Sequence, residues 1–219
     1  MIRTIRLIPT ACLFVPILFL LSFFDVQAVS LNGARSLKKK YPPNGIWQAS
    51  IIRKDGQQIR FNFEMKDSAG RKILYVMNGK ERLLADNIRQ EQDSVFIEMP
   101  FFDSRFALRL SGEDKMEGIW IKNYGHREVA MPFLAIRNQT KRFSVSQPPL
   151  FNISGRWSAH FREKTQRSTE AVGEFRQSGS IITGTFLTTT GDYRVLEGVV
   201  DGDSLRLSTF DGGHAYYFT

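Results

Sequence analysis

Ile59-Arg60-Phe61-Asn62-Phe63-Glu64-Met65, then Ser68-Ala69-Gly70, then Ile73-Leu74-Tyr75-Val76-Met77 ending in Asn78-Gly79, is the stretch that decides the fold. Apolar side chains take every second position of the first run, with Arg, Asn and Glu between them. A period of two is the period of a strand with one buried face, and no helix can sort these residues onto one side. Asn-Gly between two such runs predicts a tight hairpin turn.

The same grammar extends in both directions. Trp47, Ala49 and Ile51 alternate with polar neighbours, as do Val95, Ile97 and Met99. Phe102, Phe106, Leu108 and Leu110 follow, then Met116 to Trp120 and Val129 to Ile136. After a polar stretch from Asn138 to Asn152, which carries Pro148-Pro149, a second set begins. It comprises Gly155 to Phe161, Ala171 to Gln177, Ile181 to Leu187, Val195 to Val200, Leu205 to Leu207 and Ala215 to Phe218. Its turns are Ser178-Gly179, Thr190-Gly191-Asp192, Asp201-Gly202 and Asp211-Gly212-Gly213. Short strands at regular spacing predict an all-β chain of sandwich or barrel type. The expectation is two lipocalin-like antiparallel modules in tandem, residues 45–137 and 153–219, joined by a linker at 138–152. The 18 phenylalanines suit half-buried pleated surfaces.

The two sets echo each other. Gly45-Ile46-Trp47 opens the first and Gly155-Arg156-Trp157 the second. Asp93-Ser94-Val95-Phe96-Ile97 parallels Asp203-Ser204-Leu205-Arg206-Leu207, and Phe102 to Ala107 parallels Phe210 to Ala215. This order points to a duplicated module. Two strand patterns follow Ala107 in the first set and have no counterpart after Ala215. The second module is therefore expected to be incomplete, with the polypeptide continuing past Thr219. An unpaired apolar edge strand is otherwise an aggregation hazard.

Residues 1–28 read as an export signal. Arg3 and Arg6 precede the apolar run Ala11 to Phe24, and Val26-Gln27-Ala28 resembles a peptidase site. The run is too short for a spanning helix and contains Pro16. Cys12 lies at its start, the wrong place for a lipidated cysteine. Residues 29–44, with Asn32-Gly33, Lys38-Lys39-Lys40 and Pro42-Pro43, read as a linker. The implied location is the periplasm or cell envelope of a Gram-negative bacterium, with the membrane involved only through the signal segment.

Chemistry is hard to find in this sequence. Cys12 is the only cysteine, so the exported part can hold no disulfide, thiolate metal site or cysteine nucleophile. His126, His160 and His214 show no metal-ligand spacing. His214, after Asp211-Gly212-Gly213, reads as a turn cap ahead of a site residue. Thr188-Thr189-Thr190 with Asp192 and Tyr193 reads as turn hydrogen bonding ahead of a pocket lining. Glu113-Asp114 falls at a turn, and Asn138-Gln139-Thr140 and Asn152-Ile153-Ser154 match only the short glycosylation pattern. Trp47 and Trp157 read first as barrel-closing residues. The net charge of +8 is spread along the chain, and no nucleic-acid recognition module accompanies it. No catalytic, cofactor-binding or metal-binding residue is assigned, and no cofactor is expected.

Gly184-Thr185-Phe186-Leu187-Thr188-Thr189-Thr190-Gly191-Asp192-Tyr193-Arg194 adds a family likeness, together with Leu196-Glu197-Gly198, Leu205 to Ser208 and Phe210 to Ala215. The stretch resembles the N-terminal region of envelope thiol–disulfide oxidoreductases of the TlpA-like redoxin family. The resemblance covers mainly Gly155 to Thr219. It implies a non-catalytic β-rich region, accessory to a thioredoxin-fold domain, with exported proteins as substrates of the whole. The family's activity needs a Cys-x-x-Cys at a helix start, which this chain lacks, so no catalytic residue carries over. The alternative is a free-standing secreted lipocalin-like module for a small ligand.

Overall fold

A computed structural model describes residues 41–162 and 168–219, which belong to one compact unit spanning Leu37–Thr219. Residues 1–28, read above as an export signal, and the linker reading at 29–44 as far as residue 40, lie outside the described residues. No helix occurs among the described residues, which are all-β.

The first sheet has nine antiparallel strands: β1 (Gly45–Ile52), β2 (Gln58–Ser68), β3 (Arg71–Asn78), β4 (Glu81–Ala85), β5 (Ile88–Glu91), β6 (Ser94–Glu98), β7 (Ser104–Ser111), β8 (Lys115–Asn123) and β9 (Glu128–Arg137). Their order is β4-β3-β2-β1-β9-β8-β7-β6-β5, so the chain meanders and β9 returns to pair with β1. Neighbouring strands alternate in direction around this order, which makes β4 and β5 run the same way. Only Asp86-Asn87 separates them, and they stand at the two ends of the sheet. They act as two halves of one bent strand, the first pairing with β3 and the second with β6. The inward side chains shift phase across this bend, from Leu83 and Ala85 to Ile88, as an inserted residue requires. The result is a nearly closed up-and-down barrel with eight strand positions, lipocalin-like in its order.

Hairpin chemistry fixes the register. Ala69 and Gly70 both take positive φ, 47° and 76°, and join β2 to β3 with Ser68 opposite Arg71. Gly79 (φ 54°) turns β3 into β4 with Asn78 opposite Glu81. A two-residue loop with positive φ matches the strand twist. Every second residue then points inward. Trp47, Ile51, Phe61, Phe63, Met65, Val76, Ile97, Phe106, Met116, Trp120 and Phe133 fill the interior.

The second sheet contains β10 (Gly155–Arg162), β11 (Ser168–Ser178), β12 (Ile181–Thr188), β13 (Gly191–Asp192), β14 (Leu196–Asp201), β15 (Ser204–Phe210) and β16 (Ala215–Phe218). Its path is β10-β11-β12-β14-β15-β16, with β13 paired to β12. It repeats the geometry of the first. Gly45 lies opposite Met65 in β1–β2, and Gly155 opposite Phe175 in β10–β11, a uniform displacement of 110 residues. Trp47 Nε1 donates to the Pro43 carbonyl at 3.2 Å, and Trp157 Nε1 to the Ile153 carbonyl at 2.8 Å. Gln92 (φ 55°) and Gly202 (φ 64°) make the same turn before β6 and β15.

The third sequence match does not share a register. Phe96 pairs with Ala107 in β6–β7, whereas Phe210 pairs with Ala215 in β15–β16. β15 runs on to Phe210, while β6 stops at Glu98, just before Pro100, which lacks the N–H a ladder needs. The second hairpin is therefore longer, and its tip enters the first barrel. Phe210 is fully buried there, 4.4 Å from Phe61 and 5.6 Å from both Phe106 and Trp120 between ring centroids.

Residues 138–152 contain no strand, but they are fastened to both sheets. Asn62 Nδ2 donates to the Gln139 carbonyl at 3.2 Å, and the Leu150 N–H to the Gly202 carbonyl at 2.9 Å. Phe143 is buried. The segment is a packed strap between the sheets.

Candidate functional site

The β15–β16 turn holds a polar cluster. Asp211 accepts from the N–H groups of Gly213 at 2.9 Å and His214 at 2.7 Å, while its other oxygen meets His214 Nδ1 at 3.1 Å. From the barrel, the Ser104 hydroxyl donates to the Gly212 carbonyl and Lys122 Nζ to the Gly213 carbonyl. Both side chains are buried. His214 thus caps a turn that β7 and β8 grip, with its ring edge-on to Phe102 at 5.2 Å and parallel to Tyr216 at 5.7 Å. The carboxylate, hydroxyl and ammonium of this cluster are all engaged in holding the turn.

Arg142, on the strap, is the second cluster. Its guanidinium is buried and donates to the carbonyls of Ser208, at 2.9 Å, and Met77, and to Asn78 Oδ1 at 3.3 Å. Glu197 lies 3.5 Å away and also accepts the Gly79 N–H at 2.6 Å. Burial lowers the Arg142 pKa to about 10, partly offset by Glu197. At neutral pH it remains a cation, pinning strap, barrel and second sheet together.

The Thr188–Tyr193 run forms a turn. Thr188 Oγ1 donates to the Gly191 carbonyl at 2.8 Å and accepts from Thr190 N–H at 3.3 Å. Asp192 Oδ1 accepts the Arg194 N–H at 2.9 Å. Beyond it lies an open groove of about 790 Å³, with Glu81, Arg156, Glu174, Thr185 and Arg194 in its lining. Its charges face one another: Arg194 meets Glu81 at 2.6 Å and Arg156 meets Glu174 at 3.1 Å. The hydrogen bond to Glu81 raises the Arg194 pKa. Burial first, then Tyr193, Asp211 and Tyr124, raises that of the Tyr216 phenol. Three arginines and three carboxylates line the groove, so its formal charges balance.

The barrel interior offers no room for a guest. The void between Phe61, Phe63, Leu74, Ile97, Phe106 and Phe133 measures about 10 Å³, about the size of one water probe. The second sheet differs. Its inner face is a cluster of rings, Phe161, Phe175, Phe186, Tyr193 and Phe218, with neighbouring centroids 4.9–6.2 Å apart. Its edge strands β10 and β16 each pair on one side only among the described residues.

The sequence-singled histidines do not converge. His214 caps its turn, His160 lies 3.4 Å from Ser158 on the β10 edge, and His126 occupies the β8–β9 turn. Glu113-Asp114 sits in the β7–β8 turn, where Asp114 pairs with Arg137 at 3.2 Å. Among the described residues no group of three or more His, Asp or Glu could hold a metal ion. Sequence reasoning missed Phe210, Arg142 and Lys122. Phe210 at the end of an alternating run before Asp-Gly-Gly was a usable signal, whereas a buried arginine in a polar stretch gives none. Compared with protein-family models, with curated proteins and with solved structures, the chain matches none.

Proposed function

We propose that these residues form the non-catalytic β-rich region of an exported thiol–disulfide oxidoreductase of TlpA-like type, accessory to a thioredoxin-fold domain carried by a longer parent. The resemblance of Gly184 to Arg194 and Phe210 to Ala215 supplies the family. The observation that carries the choice is the filled first barrel, closed at its mouth by Phe210. It favours a scaffold that contacts polypeptide over a lipocalin-like carrier, which needs an empty interior. Thiol chemistry in this reading resides in a Cys-x-x-Cys outside these residues, and the β region positions or restricts its partners.

Insulin disulfide reduction tests the reading. The chain beginning after Ala28 is expected to leave insulin intact, and the parent carrying the downstream domain to reduce it. Reduction by the thiol-free chain, or a coding sequence that supplies no Cys-x-x-Cys domain, overturns it.

A further inference from the structure

Trp47 and Trp157 hold equivalent places in the two sheets. Each follows by two residues a glycine of positive φ, Gly45 at 128° and Gly155 at 114°. Each donates its indole N–H to the carbonyl four residues earlier. Yet Trp47 is 0% exposed and Trp157 49%. The strands around them account for the difference. β1 is flanked by β2 and by β9, whereas among the described residues β10 has only β11 beside it. The hairpin β8–β9 closes the first barrel by lying along β7 on one side and β1 on the other. The strands of the second sheet that correspond to β7 and β1 are β16 and β10, its two edge strands among the described residues.

The hydrogen-bonding parity of those edges matches their counterparts. Asp211 N–H donates to the His214 carbonyl, so in β15–β16 the bonded pairs are Thr209 with Tyr216 and Leu207 with Phe218. The backbone groups of Ala215 and Tyr217 therefore point away from the sheet. In the first barrel the bond from Asn123 N–H to the Asp103 carbonyl sets the same parity, and Arg105 and Ala107 of β7 face β8. Likewise Asn138 N–H donates to the Ile46 carbonyl, so Ile46, Gln48 and Ser50 of β1 face β9. Displaced by 110 residues, these are Arg156, Ser158 and His160 of β10.

We propose, resting on the function proposed above, that both edges are closed by one antiparallel β-hairpin from the parent polypeptide beyond Thr219. Its first arm runs along β16, bonding to Ala215 and Tyr217, and its second along β10, bonding to Arg156, Ser158 and His160. The connectivity is that of β7 into β8, where Gly112-Glu113-Asp114 turns the chain back along the strand just left. The template arms are 9 residues in β8 and 10 in β9. They bring Met116, Trp120, Phe133 and Ala135 inward. The closing hairpin accordingly carries apolar residues at alternate positions and covers Phe161, Phe186, Phe218 and Trp157. Strand addition of this kind draws affinity from main-chain bonds and specificity from alternate side chains.

Acrylamide quenching and amide hydrogen exchange on two forms test the proposal: the chain ending at Thr219, and the chain extended in frame by the next ~30 residues, about two such arms with their turns. Trp47 and Trp120 are buried, so the quenchable fraction reports Trp157. The expected result is one quenchable tryptophan of three in the short form and none in the extended form. The Ala215 and Tyr217 amides should gain about a hundredfold protection. Unchanged quenching and exchange in the extended form overturn the proposal, as does a short form in which Trp157 is already covered within a dimer. If the extension pairs as described but no Cys-x-x-Cys domain lies downstream, the proposed function fails and this inference stands. If that domain is present and the edges stay open, the inference alone fails.

Discussion

Phe210 shows how one side chain can join two sheets. Its backbone ends β15, and its ring completes the core of the barrel, stacked on Phe61 and edge-on to Trp120. Asn78 Nδ2 donates to its carbonyl at 2.9 Å, so main chain and ring are both held by the barrel. Phe210→Ala would leave a hole where three other rings meet. A fully buried Phe-to-Ala change costs about 3–5 kcal/mol when the surroundings cannot collapse. The expected outcome is a loss of that size in urea unfolding monitored by tryptophan fluorescence. A loss below about 0.5 kcal/mol, the scale of an ordinary surface change, would mean that the ring is not part of the barrel core. The alternation that predicts Phe61 and Trp120 as core residues says nothing of a ring donated across sheets. Period-two reasoning sees faces, and Phe210 lies at a strand end.

The strap and the hairpins belong to the next scale. Asp201, the last residue of β14, accepts from Gln147 N–H at 2.9 Å, from Ser146 N–H at 2.9 Å, from the Ser146 hydroxyl at 3.0 Å, and from Arg206 at 2.7 Å. The Gln147 and Ser146 backbone bonds lead in lowering its pKa below the ordinary 3.8. Because the folded pKa is depressed, this stabilisation is complete above the unfolded value and disappears as pH falls through the lower folded value. Asp201→Asn should therefore be less stable than the native chain at pH 6, with the gap closing as the medium is acidified below 3.8. A gap constant from pH 6 to pH 2.5 would contradict this role. At this scale the sequence was most legible. Asn78-Gly79 and Ser68-Ala69-Gly70 predict turns that the structure contains, because loop dihedrals depend on local chemistry. Short strands escaped notice: β4 and β5 bracket a bend that breaks the alternation on which recognition depends. The strap at 138–152 reads as a linker from its polarity. Its polar groups instead bond to both sheets, and Arg142 is buried.

For the molecule as a whole, the tandem all-β architecture was readable from spacing and repetition, and the asymmetry between the two halves only in part. Two of the three repeated motifs fall in equivalent positions, and the third marks the place where the longer hairpin departs from the pattern. The candidate site was legible only in part: His214 caps its turn through the nearby Asp211, whereas Lys122 takes its role from a bond to the Gly213 carbonyl, 91 positions along the chain. Barrel and second sheet have separate apolar clusters, but Phe210 sits in the barrel's cluster and Arg142 of the strap bonds to both sheets, so the three are expected to unfold together despite the linker-like sequence between them. Native-state hydrogen exchange in increasing urea measures this directly. The slowest amides of β2 and of β15 are expected to share one opening free energy and one denaturant dependence, as members of a single cooperative unit do. Two separate isotherms, with β10–β16 opening while β1–β9 stays protected, would contradict it.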